Sequence, residues 1–258
     1  MWFKIKSYLL FLLKSTNKHG VHSPFVYGLV TKCFNLKSNL NHKKSFQSLL
    51  NYYKNNDNVI NVKDFGKGSK VFKSNNRKVS KIAKIAGINK KKAMLLNRLI
   101  KYLEINTILE IGTSLGLSSV AMSIANPNIK IISLEGCKNT ATEAQKMFET
   151  FNFSNINLVV GEFENTLKTV VKQTKFDLVY FDGNHQKVAT LKYFKTCLKN
   201  IHNNSVFIFD DINWSLEMQE AWNEIKTHPK VTVTINTHFW GIVFFRKEQA
   251  KEHFTIRV

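Results

Sequence analysis

Leu109-Glu110-Ile111-Gly112-Thr113-Ser114-Leu115-Gly116-Leu117-Ser118-Ser119, residues 109–119, opens on an apolar run and breaks at two glycines before an amphipathic run begins. A short apolar stretch that ends in a glycine turn and passes into a helix is the first half of a β-α-β unit. Outward from it, TILEIG (107–112) is followed by IKIISLE (129–135), INLVVG (156–161), FDLVYFD (176–182) and SVFIFDD (205–211). Between these runs lie LSSVAMSIA, TATEAQKMFETF, NTLKTVVKQ, VATLKYFKTCLK and LEMQEAWNEIK. Each is long enough for a helix of about two to four turns. Strands alternating with helices predict an α/β fold with a doubly wound, mostly parallel sheet and right-handed crossovers. VTVTINTH and FWGIVFFRK then alternate like a closing pair of strands, one of them antiparallel.

Residues 1–104 have a different texture. Helices are predicted around 24–35, 43–55 and 90–103, where Met94, Leu95, Leu99 and Leu103 recur at helical spacing. The polar stretch 55–76 reads as a long loop. The expected organisation is an N-terminal helical cap or lid over 1–104 and an α/β domain over 105–258.

Ligands in open α/β sheets sit at the carboxyl ends of the strands. Gly112 and Gly116 let the backbone turn tightly and come close to a ligand. A dinucleotide loop would read GxGxxG, with a helix N-terminus against pyrophosphate. Here the pattern is ExGxxxG, and the carboxylate of Glu110 suits a cation and repels a phosphate. The second strand ends in Glu135, 19 residues after Gly116, where an acid accepts both ribose hydroxyls. The third ends in Gly161-Glu162-Phe163, placed to flank an adenine. Together with Thr113, Ser114 and Ser118, these residues describe a site for an adenosine with a positively charged, non-phosphorylated tail. S-adenosylmethionine fits that description. A second stretch, Asp64-Phe65-Gly66-Lys67-Gly68-Ser69, also looks like an acidic glycine loop. No strand ending in an acid follows it at the right distance, so it reads as a turn, or as part of a lid.

LEIGTSLGLSS, SLEG, FDLVYFDGNH and FIFDDINW, in that order, resemble the class I S-adenosylmethionine-dependent methyltransferases. The nearest resemblance is to the small-molecule O-methyltransferases of the catechol and macrocin/novobiocin type, over residues 106–246. It implies a Rossmann-like, seven-stranded sheet with the last strand antiparallel.

A second cluster follows the fourth and fifth strands. Asp182, Asp210 and Asp211 end adjacent strands on one rim, and close carboxylates need a proton or a cation between them. Oxygen ligands suit Mg²⁺ or Mn²⁺. The resemblance implies acids at these same positions in metal-dependent enzymes, with Asp182 also at the cofactor. It makes His185, in DGNH, a candidate base, with Lys187 a lesser one. The alternative is that Asp210 or Asp211 caps the next helix and His185 bonds locally. Trp214, Phe239 and Trp240 read as core or as walls of an acceptor pocket.

The formal net charge is +20, yet only four of 38 basic residues are arginine (Arg77, Arg98, Arg246, Arg257). Nucleic-acid readers lean on arginine, and the richness in Lys, Asn, Ile and Phe looks like a compositional bias. RNA methylation is the chief rival reading: N/D-P-P-Y/F and Pro-Cys elements are both missing, while a ribose 2′-O enzyme of the K-D-K-E type stays open, although FDGNH with FDDINW favours the metal-assisted group. A non-catalytic scaffold that keeps the fold is another. Three scattered cysteines argue for a reducing, cytoplasmic compartment. In MWFKIKSYLLFLLK the apolar run is too short to span a bilayer. It predicts a helix that packs on the domain or across a homodimer seam, the favoured reading, or one that lies on the inner face of a membrane. The expected partner is a small-molecule hydroxyl acceptor.

Overall fold

The computed structural model describes residues 2–66, 68 and 71–258. In chain order the elements are α1 (Trp2–Lys14), α2 (Pro24–Leu29), α3 (Leu40–Lys54), β1 (Val59–Asn61), β2 (Asn76–Lys78), α4 (Val79–Ala86), α5 (Lys90–Tyr102), β3 (Thr107–Ile111), α6 (Leu117–Ala125), β4 (Lys130–Glu135), α7 (Lys138–Thr150) and β5 (Ile156–Val160). They continue as α8 (Phe163–Gln173), β6 (Leu178–Phe181), α9 (Lys187–Cys197), β7 (Val206–Asp210), α10 (Leu216–Thr227), β8 (Val233–Asn236), β9 (Trp240–Phe244) and β10 (Glu252–Thr255). The chain divides into two compact units, 36–166 and 1–35 with 167–258.

In the unit formed by 36–166, β3, β4 and β5 pair in parallel, with Leu109 opposite Ile132 and Ser133 opposite Leu158. The apolar runs are buried on both faces, as a parallel sheet covered by helices requires. Ile108, Leu109, Ile111, Ile131 and Leu134 of the strands, Val120 and Met122 of α6, and Met147 and Phe148 of α7 are all buried. Helix α5 starts where the side chain of Asn89 accepts a hydrogen bond from the Lys92 N–H, and it buries Ala93, Leu96, Leu99 and Ile100. Stretch 55–76 is more ordered than a loop: β1 and β2 close it as an antiparallel pair, Val59 opposite Lys78 and Asn61 opposite Asn76. Its polar, asparagine-rich strands hide the pairing from a reading of apolar alternation.

The other unit holds β6 and β7 in parallel, with Phe181 opposite Phe209. Strand β9 runs antiparallel to both β7 and β8, so the expected closing pair is present. The Phe181 and Phe209 rings stack at 4.2 Å, and the Trp222 indole lies where a side chain on Gly241 would stand, 2.5 Å from that Cβ position. Glycine is required there by close approach, not by backbone angle.

Among the described residues the strands of the expected sheet number eight, three in one unit and five in the other, against the seven that the resemblance implied. The addition is β10, which runs parallel to β8 with Glu252 opposite Val233. It satisfies peptide groups along an edge that would otherwise be open to another chain. The Glu252 N–H donates to Thr232 O at 2.9 Å and the Ile256 N–H to Asn236 O at 2.9 Å. A charged tetrapeptide, EHFT, gives no alternation to read. Among the described residues no helix is long and apolar enough to cross a membrane.

Candidate active site

The glycine turn after β3 is built from residues in left-handed or extended positive-φ conformations: Gly112 (φ +105°), Ser114 (φ +50°) and Gly116 (φ +78°). A Cβ at Gly116 would lie 2.5 Å from the ring of Phe148, so angle and space both demand glycine there. The Gly112 and Thr113 N–H groups donate to Leu134 O at 2.9 and 3.1 Å, and the Gly116 N–H returns to Thr113 O at 2.8 Å. Thr113 Oγ1 meets Ser133 Oγ at 2.5 Å. Below the turn, the Tyr53 hydroxyl of α3 donates to Leu115 O at 2.7 Å, a buttress with no signature in the sequence.

Glu110 is fully buried. Ser119 and Ser133 both donate to its Oε2, while Oε1 is buried without a partner. Burial pushes its carboxyl up to about 7; the hydroxyls of Ser118, Ser119 and Ser133 pull back, and the Glu135 charge adds to the rise. The sequence reading made Glu110 a countercharge for a cationic ligand. In the fold it ties β3 to β4 and to the first turns of α6, and Ser118 and Ser119 act toward it.

Glu135, at the end of β4, is half-buried. The Ser114 N–H donates to its Oε2 at 2.7 Å and the Cys137 N–H to its Oε1 at 2.8 Å. Burial raises its pKa, and those amides, with Thr140 and Gly136, oppose the rise. The Gly161 N–H donates to Glu135 O at 2.9 Å, which ties the end of β5 to that of β4. Glu162 is exposed and Phe163 half-buried beside it. The three strand ends thus converge as the sequence predicted. Phe65 joins them: its ring lies 2.9 Å from the position a Gly136 Cβ would take. Asp64 is turned to the Gly66 N–H and to Arg77, and Lys67 and Ser69 of that loop lie outside the described residues.

In the other unit, β6 and β7 end side by side, so Asp182 follows the Phe181–Phe209 register pair and Asp210 ends the neighbouring strand. Asn184 (φ +72°) and His185 (φ +45°) turn the chain back. That turn brings His185 Nε2 to 3.7 Å from Asp182 Oδ1, both partly exposed. Asp210 is buried opposite Trp240. Asp211 leaves the strand in a left-handed conformation (φ +54°), and its carbonyl accepts the Trp214 N–H at 2.8 Å.

The expected three-acid cage on Asp182, Asp210 and Asp211 is not assembled. Among the described residues no group of three His, Cys, Asp or Glu side chains is arranged to hold a metal ion. Asp211 follows the last residue of β7 in a left-handed conformation. Lys187 is bound to Glu220 at 2.9 Å, which raises its pKa and makes it a poor base. Trp240 is fully buried in β9 and belongs to the core, whereas Trp214 and Phe239 are half-buried.

Residues 109–212 match a family described as a methyltransferase domain. No curated protein matches the chain. Among solved structures, a methyltransferase from Podospora anserina with S-adenosylhomocysteine bound superposes with a TM-score of 0.61 at 15% identity, covering 88% of this chain and 97% of that one. An O-methyltransferase from Bacillus cereus, also with S-adenosylhomocysteine, gives 0.56 at 16% identity over 81% and 93%. The O-methyltransferase TomG from Streptomyces achromogenes, involved in tomaymycin synthesis and solved with S-adenosylmethionine, gives 0.55 at 19% identity over 62% and 82%. At such identities the likeness establishes the fold.

Proposed function

We propose that the chain, whose residues 109–212 match a methyltransferase domain, is a class I S-adenosylmethionine-dependent methyltransferase and that the methyl group goes to a hydroxyl oxygen of a small molecule. The observation that carries the cofactor half is the junction of β3, β4 and β5: a turn with glycine at both ends and positive φ at three residues, next to a carboxylate whose orientation two backbone amides fix. That donor set fits a nucleoside without phosphate. Gly112, Thr113, Ser114 and Gly116 would wrap the amino-acid tail, Glu135 would accept the ribose hydroxyls, and Gly161, Glu162 and Phe163 would flank the adenine. Glu110 would act as a positioning residue for the turn.

When bound, S-adenosylmethionine supplies a methyl already activated on a sulfonium. The chain must then align a hydroxyl in line with it and remove the proton. His185 is the candidate base, since an imidazole nitrogen can accept the hydroxyl proton. Asp182 would orient that ring and stabilise the imidazolium. The sequence also pointed to Mg²⁺ or Mn²⁺; the acids as arranged do not form a cage, and no step here runs through an ion. Turnover that survives a chelator fits the His185–Asp182 pair, and turnover that requires Mg²⁺ would mean Asp182, Asp210 and Asp211 rearrange around it.

Calorimetric titration with S-adenosylhomocysteine tests the cofactor half: wild type should bind and Glu135→Ala should lose most of the affinity. Transfer of labelled methyl to a panel of phenols and sugars tests the rest. Labelling only of RNA or of amine acceptors would overturn the hydroxyl assignment.

A further inference from the structure

Helix α1 has two faces of opposite use. One is docked within its own unit: Ser7 and Phe11 are buried, Lys4 lies 3.6 Å over the Trp214 ring, and Phe11 and Tyr8 pack on His238. Gln219 joins Ser7 to Asn213 at 3.1 and 2.8 Å, and just past the helix the Thr16 N–H donates to Thr255 O of β10 at 2.9 Å. The helix is therefore held at both ends. Its other face carries Trp2 (84% exposed), Ile5 (47%), Leu9 (55%) and Leu13 (83%). Positions 2, 5, 9 and 13 fall on a single stripe of a helix. A docked helix that still turns four large apolar side chains to solvent leaves a surface that calls for a partner.

The charge around the stripe selects the partner. Lys6 and Lys14 lie on the helix and Lys18 follows it, all exposed. Lys14 is close enough to Lys226 to lower that residue's pKa, second to burial. From there the basic surface runs on through His228, whose charge is opposed by Lys230, Lys251 and Lys195. Two copies of a +20 chain facing each other across this stripe would bring those lysines together. An RNA would meet the lysines but would gain nothing from Trp2, Leu9 and Leu13. An anionic lipid surface satisfies both features, because headgroups neutralise the lysines while acyl chains take the stripe. At 13 residues the helix is about 20 Å long, too short to cross the roughly 30 Å hydrocarbon layer, so it would lie in the plane.

We propose that α1 is an in-plane anchor that seats Trp2, Ile5, Leu9 and Leu13 in the surface of an anionic bilayer. The same helix braces the Asp211–Trp214 loop through its docked face, so the membrane lies against the unit that carries His185. The proposal stands apart from the methyl-transfer reading.

Flotation of the full chain with vesicles of phosphatidylcholine mixed with phosphatidylglycerol, against phosphatidylcholine alone, tests it. Wild type should float with the anionic vesicles, less so at high salt, and should stay behind with the neutral ones. The double variant Leu9→Glu, Leu13→Glu alters only exposed positions, so circular dichroism should match wild type while vesicle partitioning falls about a hundredfold or more. Equal flotation of wild type and variant would overturn the role of the stripe. Absence of wild-type flotation would overturn the anchor. A dimer in sedimentation that the double variant makes monomeric, with no flotation, would give the stripe to a second copy; salt-sensitive RNA binding without flotation would give the charge to nucleic acid.

Discussion

Replacing Glu110 by glutamine tests whether the carboxyl at the heart of the cofactor turn is held by burial. In the folded chain burial lifts that group from 4.5 to about 7, so between those values the folded form binds more protons than the unfolded form. Stability supplied by this carboxyl is therefore full below about pH 4.5, falls as pH rises to about 7, and levels off above. At 1.36 kcal/mol per unit, the fall amounts to about 3 kcal/mol. Glutamine does not titrate. Its amide will carry a fixed cost of about 1–3 kcal/mol where Oε1 now lies without a partner, but that offset is the same at every pH. The commitment is to the slope: wild type should lose about 3 kcal/mol relative to Glu110→Gln between pH 4 and pH 8. In a domain of this size that is roughly 6–12 °C in relative Tm, readable by calorimetry or by thermal circular dichroism on both proteins in matched buffers. Titrating groups that do not act on Glu110 cancel in the difference, and only Glu135, whose charge adds to the rise, is coupled to it. Parallel wild-type and variant profiles across that range would mean the carboxyl is solvated or already ionised, and the account of Glu110 as a buried tie would fail.

Gly116→Ala should abolish S-adenosylhomocysteine binding in calorimetry and lower Tm, because φ is +78° and the new methyl would meet the Phe148 ring at 2.5 Å; retained affinity would misassign the turn. His185→Gln should lower kcat by about 10²–10⁴ while leaving cofactor affinity within about twofold, and Asp182→Asn should lower kcat as well. An unchanged rate in both variants would remove the proposed base. Truncation after residue 248 should expose the edge of β8, lowering Tm and promoting association at high concentration in light scattering; a monodisperse truncated chain of unchanged Tm would show that β10 covers nothing of consequence.

The junction of β3, β4 and β5 was legible because its signals are local. An apolar strand, a glycine turn and an acid at the end of the next strand lie within a few dozen residues, and parallel register carries each to the same rim. The five strands from 107 to 211 and the helices between them follow the periodicity read from the sequence to within a few residues. What escaped depended on contacts between distant segments. β10 is recognisable only once β8 offers it an edge, and β1 with β2 only once two polar asparagine-bearing segments face each other. Tyr53 reaches Leu115 across 62 residues, and no spacing announces such a buttress.

The acidic side shows the converse limit. Neighbouring acids in FDD suggest convergence, yet Asp210 closes β7 and Asp211 follows it in a left-handed conformation that the sequence does not announce. Two carboxylates end adjacent strands, and the histidine reaches one of them only because Asn184 and His185 both take positive φ. That strain has a chemical reading. A backbone that holds two non-glycine residues in a sparsely populated conformation needs its surroundings to fix them, and here the Asn184 side chain meets the Tyr193 hydroxyl at 3.4 Å. If His185 takes a proton from the acceptor, Tyr193 positions it through Asn184, and Tyr193→Phe should lower kcat while sparing cofactor affinity, with Asn184→Gly relieving the φ constraint yet failing to restore the rate. Restoration of wild-type kcat in the Asn184→Gly, Tyr193→Phe pair would mean the turn only links two elements, and the base would have to be sought elsewhere.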